Sequence, residues 1–111
     1  MIILTLEQIK KLGLKYYVFD NGDYSYQTKE GFCHLIRDKI DLLEGKNAIE
    51  CWSYDNGNIM YQTIDRCYHL ICDGVDVFES KDVVSYAIHQ NGDIIYKTKN
   101  DFWHAILNSL N

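Results

Sequence analysis

The chain has no segment that would cross a membrane and no recognisable secretory leader. Nothing in it approaches the ~18 uninterrupted apolar residues of a membrane-spanning helix. Its start, MIILTLEQIKKL, lacks the basic leader, the longer apolar run and the small-residue cleavage site of a signal peptide. These absences predict a cytoplasmic protein with no membrane partner.

Basic residues are few and scattered. The chain has 11 Lys and Arg against 16 Asp and Glu, and its net charge is −5. Ordinary nucleic-acid binding requires neutralisation of phosphates by a basic stripe, so direct binding of nucleic acid is not expected. Mimicry of an acidic duplex stays open as an alternative.

The usual signatures of reaction chemistry are also missing. The sequence has no GxSxG, no phosphate loop, no HExxH and no paired Cys/His arrangement with a third orienting group. The four cysteines form neither a CxxC pair nor a repeated framework, which predicts free thiols in a reducing cytosol. The sequence therefore predicts a non-enzymatic protein without a cofactor.

What the sequence does contain is one pattern written three times. DNGDYSYQT at 20–28 returns as DNGNIMYQT at 55–63 and QNGDIIYKT at 90–98, a period of 35 residues. Six positions hold the same residue in all three copies. They are Asn21/Asn56/Asn91, Gly22/Gly57/Gly92, Tyr26/Tyr61/Tyr96, Thr28/Thr63/Thr98, His34/His69/His104 and Ile36/Ile71/Ile106. This regularity indicates a tandem array of three units.

Each unit begins with a predicted β-hairpin. Asn-Gly tolerates positive φ at both central positions, as the type I′ turn of a two-residue loop requires. That register opposes Phe19 to Tyr24 and Tyr17 to Tyr26, so these four aromatic residues share a face that we expect to be buried.

A helix is predicted after each hairpin. The repeated threonine is suited to an N-cap, and the residues after it recur at helical spacing. In the first unit the apolar stripe contains Phe32, Leu35, Ile36, Ile40 and Leu43.

The predicted fold class is α+β, with three ββα repeats in a single domain, 1–111. The repeats cover about 14–46, 47–81 and 82–111, and a short helix at about 5–12 precedes them. One such unit buries too little apolar surface to be stable alone, so the three are expected to share one core. Whether the hairpins form one sheet or surround a pseudo-threefold axis stays open. Oligomerisation through the open array ends is an expectation.

The repeated histidines are the principal candidate site residues. On the predicted helices His34, His69 and His104 point away from the apolar stripe. Three converging imidazoles are a known zinc arrangement, but no acidic partner is evident in all three units to orient them. The favoured interpretation is a structural contact with the neighbouring unit; a metal or ligand site and an exposed binding surface are the alternatives.

Two further groups complete the predicted interaction surface. Tyr68 and Trp103, on neighbouring predicted helices, are candidate aromatic anchors for a partner. The hairpin tips are acidic, which suits a basic partner and is also typical of solvated turns. The tip residues are Asp20, Asp23, Asp55 and Asp93.

The functional prediction is a protein-interaction module with a protein partner. A bacterial or phage-encoded inhibitor of a host protein fits this class, because such a protein needs a surface and no chemistry. The alternatives are a small-ligand or metal-binding protein that uses the three histidines, and the acidic nucleic-acid mimic.

Overall fold

The computed structural model describes residues 3–108, which form one helix and eleven strands. The first unit follows helix α1 (Leu6–Leu12) and contains strands β1 (Tyr16–Val18), β2 (Tyr24–Gln27), β3 (Cys33–Arg37) and β4 (Ile40–Asp41). The second contains β5 (Ala48–Ser53), β6 (Ile59–Thr63), β7 (Tyr68–Cys72) and β8 (Val75–Asp76). The third contains β9 (Val83–Ile88), β10 (Ile94–Thr98) and β11 (Trp103–Ile106).

The short N-terminal helix is present as predicted. Thr5 caps its start, and a reciprocal bond between the Thr5 amide and the Gln8 side chain completes a capping box. Gly13, at φ 69°, ends it in the left-handed conformation. The local signals at both ends therefore determine the helix without help from the rest of the chain.

The Asn-Gly hairpins form, but with a different loop from the one predicted. The Phe19 amide donates to Asp23 O (2.8 Å) and the Gly22 amide to Phe19 O (3.0 Å), which defines a three-residue loop. Only Gly22 has positive φ, at 93°, so the type I′ prediction is wrong. The extra loop residue shifts the register by one, and Tyr17 opposes Ser25 instead of sharing a face with Tyr26.

The helix predicted after each hairpin is wrong. The repeated threonine closes a second hairpin: the Thr28 amide donates to Phe32 O and the Gly31 amide to Thr28 O, both at 2.9 Å. The chain then returns as a strand, β3 in unit 1, and all four residues of β2 pair with it. A short turn and strand β4 follow where the predicted helix would have continued.

Burial on two faces explains why helical spacing was misleading. Leu35 lies on one face of the first sheet and Ile36 on the other, and both are at most 2% exposed. A strand buried on both faces has no polar alternation, so consecutive apolar residues suit it as well as they suit a helix. Tertiary contacts decide between the two.

The units are three separate antiparallel meanders. Strand order is β1-β2-β3-β4 in the first sheet, β5-β6-β7-β8 in the second and β9-β10-β11 in the third, within residues 3–108. We call the face that carries Tyr26, Tyr61 or Tyr96 the front of each sheet, and the opposite face the back. The fold is thus mostly β-sheet with one short helix.

The sheets pack in series, each against its neighbour. Helix α1 covers the front of the first sheet, where Ile9 meets Tyr26 and Ile36. The back of each of the first two sheets packs on the front of the next: Leu35 joins Tyr61 in one cluster, and Leu70 joins Tyr96 in another. The prediction of one shared core is therefore not confirmed, because the apolar interior is divided into three clusters.

The dimensions agree with a serial array. The radius of gyration is 15.0 Å and the extents are 44 × 30 × 20 Å, whereas a compact domain of this length has a radius of gyration of about 13 Å. No helix among residues 3–108 has the length and apolar character needed to span a membrane.

Candidate interaction surface

Each repeated histidine stacks on the repeated tyrosine of its own unit. Strand pairing places His34 opposite Tyr26, with ring centroids 5.0 Å apart. The equivalent distances are 4.7 Å in unit 2 and 5.1 Å in unit 3. The repeated tyrosine and the repeated histidine are therefore cross-strand partners on the front face of each sheet.

A carboxylate orients the imidazole in the first two units. His34 Nδ1 lies 2.6 Å from Asp41 Oδ2, and His69 Nδ1 lies 2.7 Å from Asp76 Oδ2. Asp41 Oδ1 also accepts a hydrogen bond from the Leu43 amide at 3.0 Å. In the second unit Asp76 Oδ1 accepts from the Phe78 amide at the same distance. The aspartate thus joins the histidine to the turn after β4, which is a structural role.

Asp41 and Asp76 were not predicted from the sequence as partners of the histidines, because the predicted helices did not place them in a strand beside His34 and His69. Strand β4 pairs Asp41 with Ile36, two residues along β3 from His34 and on the same face. The equivalent position in unit 3 is 111, outside the described residues. The spacing His-x6-Asp in two units was the available signal.

The three histidines are not brought together as ligands. Each belongs to a different sheet, and among residues 3–108 no group of three or more His, Cys, Asp or Glu is placed to hold a metal ion. His34 and His69 are half-buried, whereas His104 is exposed. Their hydrogen bonds and ring contacts lie within a unit, whereas the favoured prediction from the sequence was a contact with the neighbouring unit.

Asp23 is a buried structural residue and not an exposed hairpin tip. It is 4% exposed, and Arg37 Nη2 donates to its Oδ2 at 2.7 Å, as does Ser53 Oγ of the next unit. Burial raises the pKa of Asp23, but these hydrogen bonds and the Arg37 charge outweigh it and hold the pKa below its usual 3.8. Asn21 Nδ2 also donates to Ser53 Oγ at 2.7 Å, so a polar network joins units 1 and 2.

The other acidic tips differ from one another. Asp20 and Asp55 are exposed. Asp93 is half-buried and accepts from the Asn108 amide at 2.7 Å. Only the first two are therefore open acidic residues at the ends of their first strands.

Tyr68 and Trp103 do not form one aromatic patch. Tyr68 is half-buried between the second and third sheets, where its ring meets Tyr86 edge-on at 5.4 Å. Trp103 is 61% exposed on the back of the third sheet, with Lys97 Nζ 5.7 Å from its ring centroid. The strand pairing separates them by one sheet.

A different aromatic group lies open on the first strands of units 1 and 2. Tyr17 is 51% exposed and Trp52 is 42% exposed, and their ring centroids are 5.3 Å apart. Phe19 supports both rings from beneath, at 4.8 Å and 5.0 Å. Tyr16 and Val18 expose 45% and 49% but alternate with Tyr17 along β1 and lie on its other face. We call Tyr17 and Trp52, with Phe19 beneath them, the aromatic strip.

Sequence reasoning assigned part of this strip to the core. The two-residue loop placed Tyr17 on the predicted buried face, and the same loop would place Trp52, its equivalent one period later, there as well. The true register and the edge position of β1 and β5 leave them exposed.

A cleft between units 1 and 2 is the other notable concavity. It encloses about 480 Å³ and is lined by residues that include Arg37, Lys46, Asn56 and Asp73. Arg37 is already paired with Asp23 and donates to Gly57 O at 3.0 Å, so its charge is committed to the junction.

Comparison of the chain with protein-family models found no match. Comparison with curated proteins likewise found none.

Proposed function

We propose that the chain is a non-enzymatic protein-interaction module whose contact surface is the aromatic strip. The observation that supports this most directly is the exposure of Tyr17 (51%) and Trp52 (42%), whose rings meet at 5.3 Å although they come from the edge strands of two different sheets. Single exposed apolar residues are ordinary, but a contiguous group is typical of an interaction site.

The chemistry of the strip suits an anchor for a protein partner. Tyr and Trp dominate the energetics of many interfaces, since they offer large rigid areas at low entropic cost. Phe19 is 6% exposed and packs under Tyr17 and Trp52, which holds the two rings in place before a partner arrives. Pre-organised rings lose little conformational entropy on binding.

The charge around the strip favours a partner with basic groups at its rim. Asp20 and Asp55 are exposed and lie two residues after the ends of β1 and β5. Rim charges of this kind mainly affect the association rate and its salt dependence. An inhibitor that blocks a basic surface of a host protein, of the phage type, is within this proposal, as is a cytoplasmic location.

The experiment is capture of partners from the native host with the whole chain as bait. The test variant is Tyr17→Ser with Trp52→Ser. The matched control is Ile64→Ser with Phe102→Ser, which removes two apolar side chains that are 65% exposed elsewhere. A specific partner should be retained by the wild type and the control and lost, by at least about tenfold in affinity, by the test variant.

Both variants must first show wild-type melting temperatures, so that a loss of binding is not a loss of folding. If both variants bind the partner as tightly as the wild type does, the aromatic strip is not the contact surface. If both variants lose binding to the same extent, the contact is broad, apolar and non-specific.

A further inference from the structure

Two cysteines from neighbouring units meet at the junction of the first and second sheets. Cys33 lies in β3 and Cys51 in β5, both half-buried, and both pack against the cluster of Phe19, Leu35 and Tyr61. Cys33 lies opposite Gln27 on the back of the first sheet and Cys51 opposite Tyr61 on the front of the second, which are the two faces that pack together. The chain thus brings together two thiols that are distant in sequence.

The repeat provides an independent check on this geometry. One period later, the positions of Cys33 and Cys51 are occupied by Tyr68 and Tyr86. These two rings are in edge-on contact at 5.4 Å across the junction of the second and third sheets. The two positions therefore face each other at both junctions.

We propose that Cys33 and Cys51 form a site for reversible disulfide formation that links units 1 and 2. The oxidant is a low-molecular-weight disulfide of the glutathione class. Cys33 as the thiolate attacks one sulfur of the small disulfide, which releases one small thiol and leaves a mixed disulfide on Cys33. Cys51 then attacks the Cys33 sulfur and releases the second small thiol. Two protein thiols are oxidised while one small disulfide is reduced to two thiols.

The surroundings of the pair fit this order of events. A cavity of about 270 Å³ opens onto Cys33 and gives a small oxidant access to it. The lining of that cavity includes Cys33 but not Cys51, so Cys33 is the thiol that meets the oxidant first. The neighbouring Cys51 thiol lowers the pKa of Cys33 against the opposing effect of burial, whereas the Cys33 thiol and burial raise the pKa of Cys51.

The other two cysteines are internal controls. Cys67 is buried, and Cys72 accepts a hydrogen bond from Asn58 Nδ2 at 3.4 Å. Burial is the main cause that raises the pKa of each thiol. Neither is paired with another cysteine among the contacts of residues 3–108.

The test is oxidation of the folded wild-type chain with oxidised glutathione, followed by alkylation and peptide mapping. We expect one disulfide between Cys33 and Cys51, two remaining free thiols, and reversal by reduced glutathione. The Cys67→Ser/Cys72→Ser variant should form the same link at the same rate. Links that involve Cys67 or Cys72, or no link while all four thiols stay alkylatable, would overturn the proposal.

A second measurement separates a native site from a chance cross-link. A disulfide compatible with the fold restricts the unfolded chain and raises the melting temperature; we expect a rise of at least about 5 °C. A Cys51→Ser variant should stop at the mixed disulfide on Cys33. A lower melting temperature on oxidation would show that the link distorts the junction and is not a native site.

Discussion

Single residues of this chain act mainly by joining one unit to the next. The network around Asp23 is the most informative case, because its members come from two units. Asp23 and Arg37 belong to the first, whereas Ser53 belongs to the second. At the junction between units 2 and 3, Ile88 occupies the position of Ser53. That junction therefore depends on apolar contacts and on the hydrogen bond between the Tyr54 and Tyr86 hydroxyl groups, at 2.7 Å.

We expect Asp23→Asn to destabilise the protein by roughly 2 kcal/mol, because it leaves Arg37 and Ser53 without their charged acceptor. The value is below the full cost of breaking a buried pair, since the Arg37 side chain is 32% exposed. Urea unfolding measures it. Asp55→Asn, at an exposed tip, is the control and should change stability by less than about 0.5 kcal/mol.

The same residue predicts a pH dependence. The pKa of Asp23 is lower in the folded state than its ordinary value of 3.8. Its stabilising contribution is therefore fully present above about pH 4 and is lost as the pH falls through the folded pKa. As the pH falls below about 4, the wild type should lose more stability than Asp23→Asn. Parallel curves for the two proteins would contradict the assignment.

At the scale of the element, the turns show which repeated residues have a backbone role. The glycine of each Asn-Gly pair has φ of 91–93°, beyond the range that other residues adopt comfortably. The second turn is less demanding: Gly31, at 96°, is replaced by Arg66 at 71° and Asp101 at 73°. This difference explains why one glycine is kept in three copies and the other in one.

We expect Gly57→Ala to cost about 1–2 kcal/mol, whereas Gly31→Asn should cost less than about 0.5 kcal/mol. A Cβ at either position meets no atom within 4 Å, so the difference is conformational and not steric. Thermal unfolding of the two variants measures it. Equal costs would show that the two turns impose the same backbone requirement.

At the scale of the whole molecule, the serial arrangement predicts that local damage stays local. Helix α1 places Ile9, which is fully buried, on Tyr26 and Ile36 of the first sheet. Helix α1 contributes no residue to the cluster between the second and third sheets. Repeat arrays of this kind have stabilities set by neighbouring units.

The variant Ile9→Ala should open a cavity under the first sheet and cost about 2–5 kcal/mol there. In native-state hydrogen exchange we expect faster exchange for β2 and β3, and nearly unchanged exchange for β9 and β10. The matched variant Val83→Ala should reverse the pattern, because Val83 is fully buried in the cluster between the second and third sheets. Uniform acceleration in both variants would show a single cooperative core.

The predicted site residues show how far sequence reasoning extended. The equivalence of His34, His69 and His104 was readable, but their aspartate partners were not, because they depend on a hairpin that the sequence pattern did not separate from a helix. Asp23 looked like Asp20 and Asp55 in the sequence. Asp23 is buried instead, held by Arg37 of its own unit and by Ser53 of the second.

The sequence by itself determined the features that depend on local chemistry: the 35-residue period, the hairpins at the Asn-Gly pairs, and the capped helix before the first unit. Tertiary structure decided the rest. The segment after each threonine has apolar residues that fit a helix or a buried strand, and tertiary contacts make the choice: β3 is covered by helix α1 and the second sheet, and β7 packs on its back against the third sheet. That same stacking divides the interior into three clusters and leaves the aromatic strip uncovered. Exposure of this kind depends on contacts between units, which no single unit specifies.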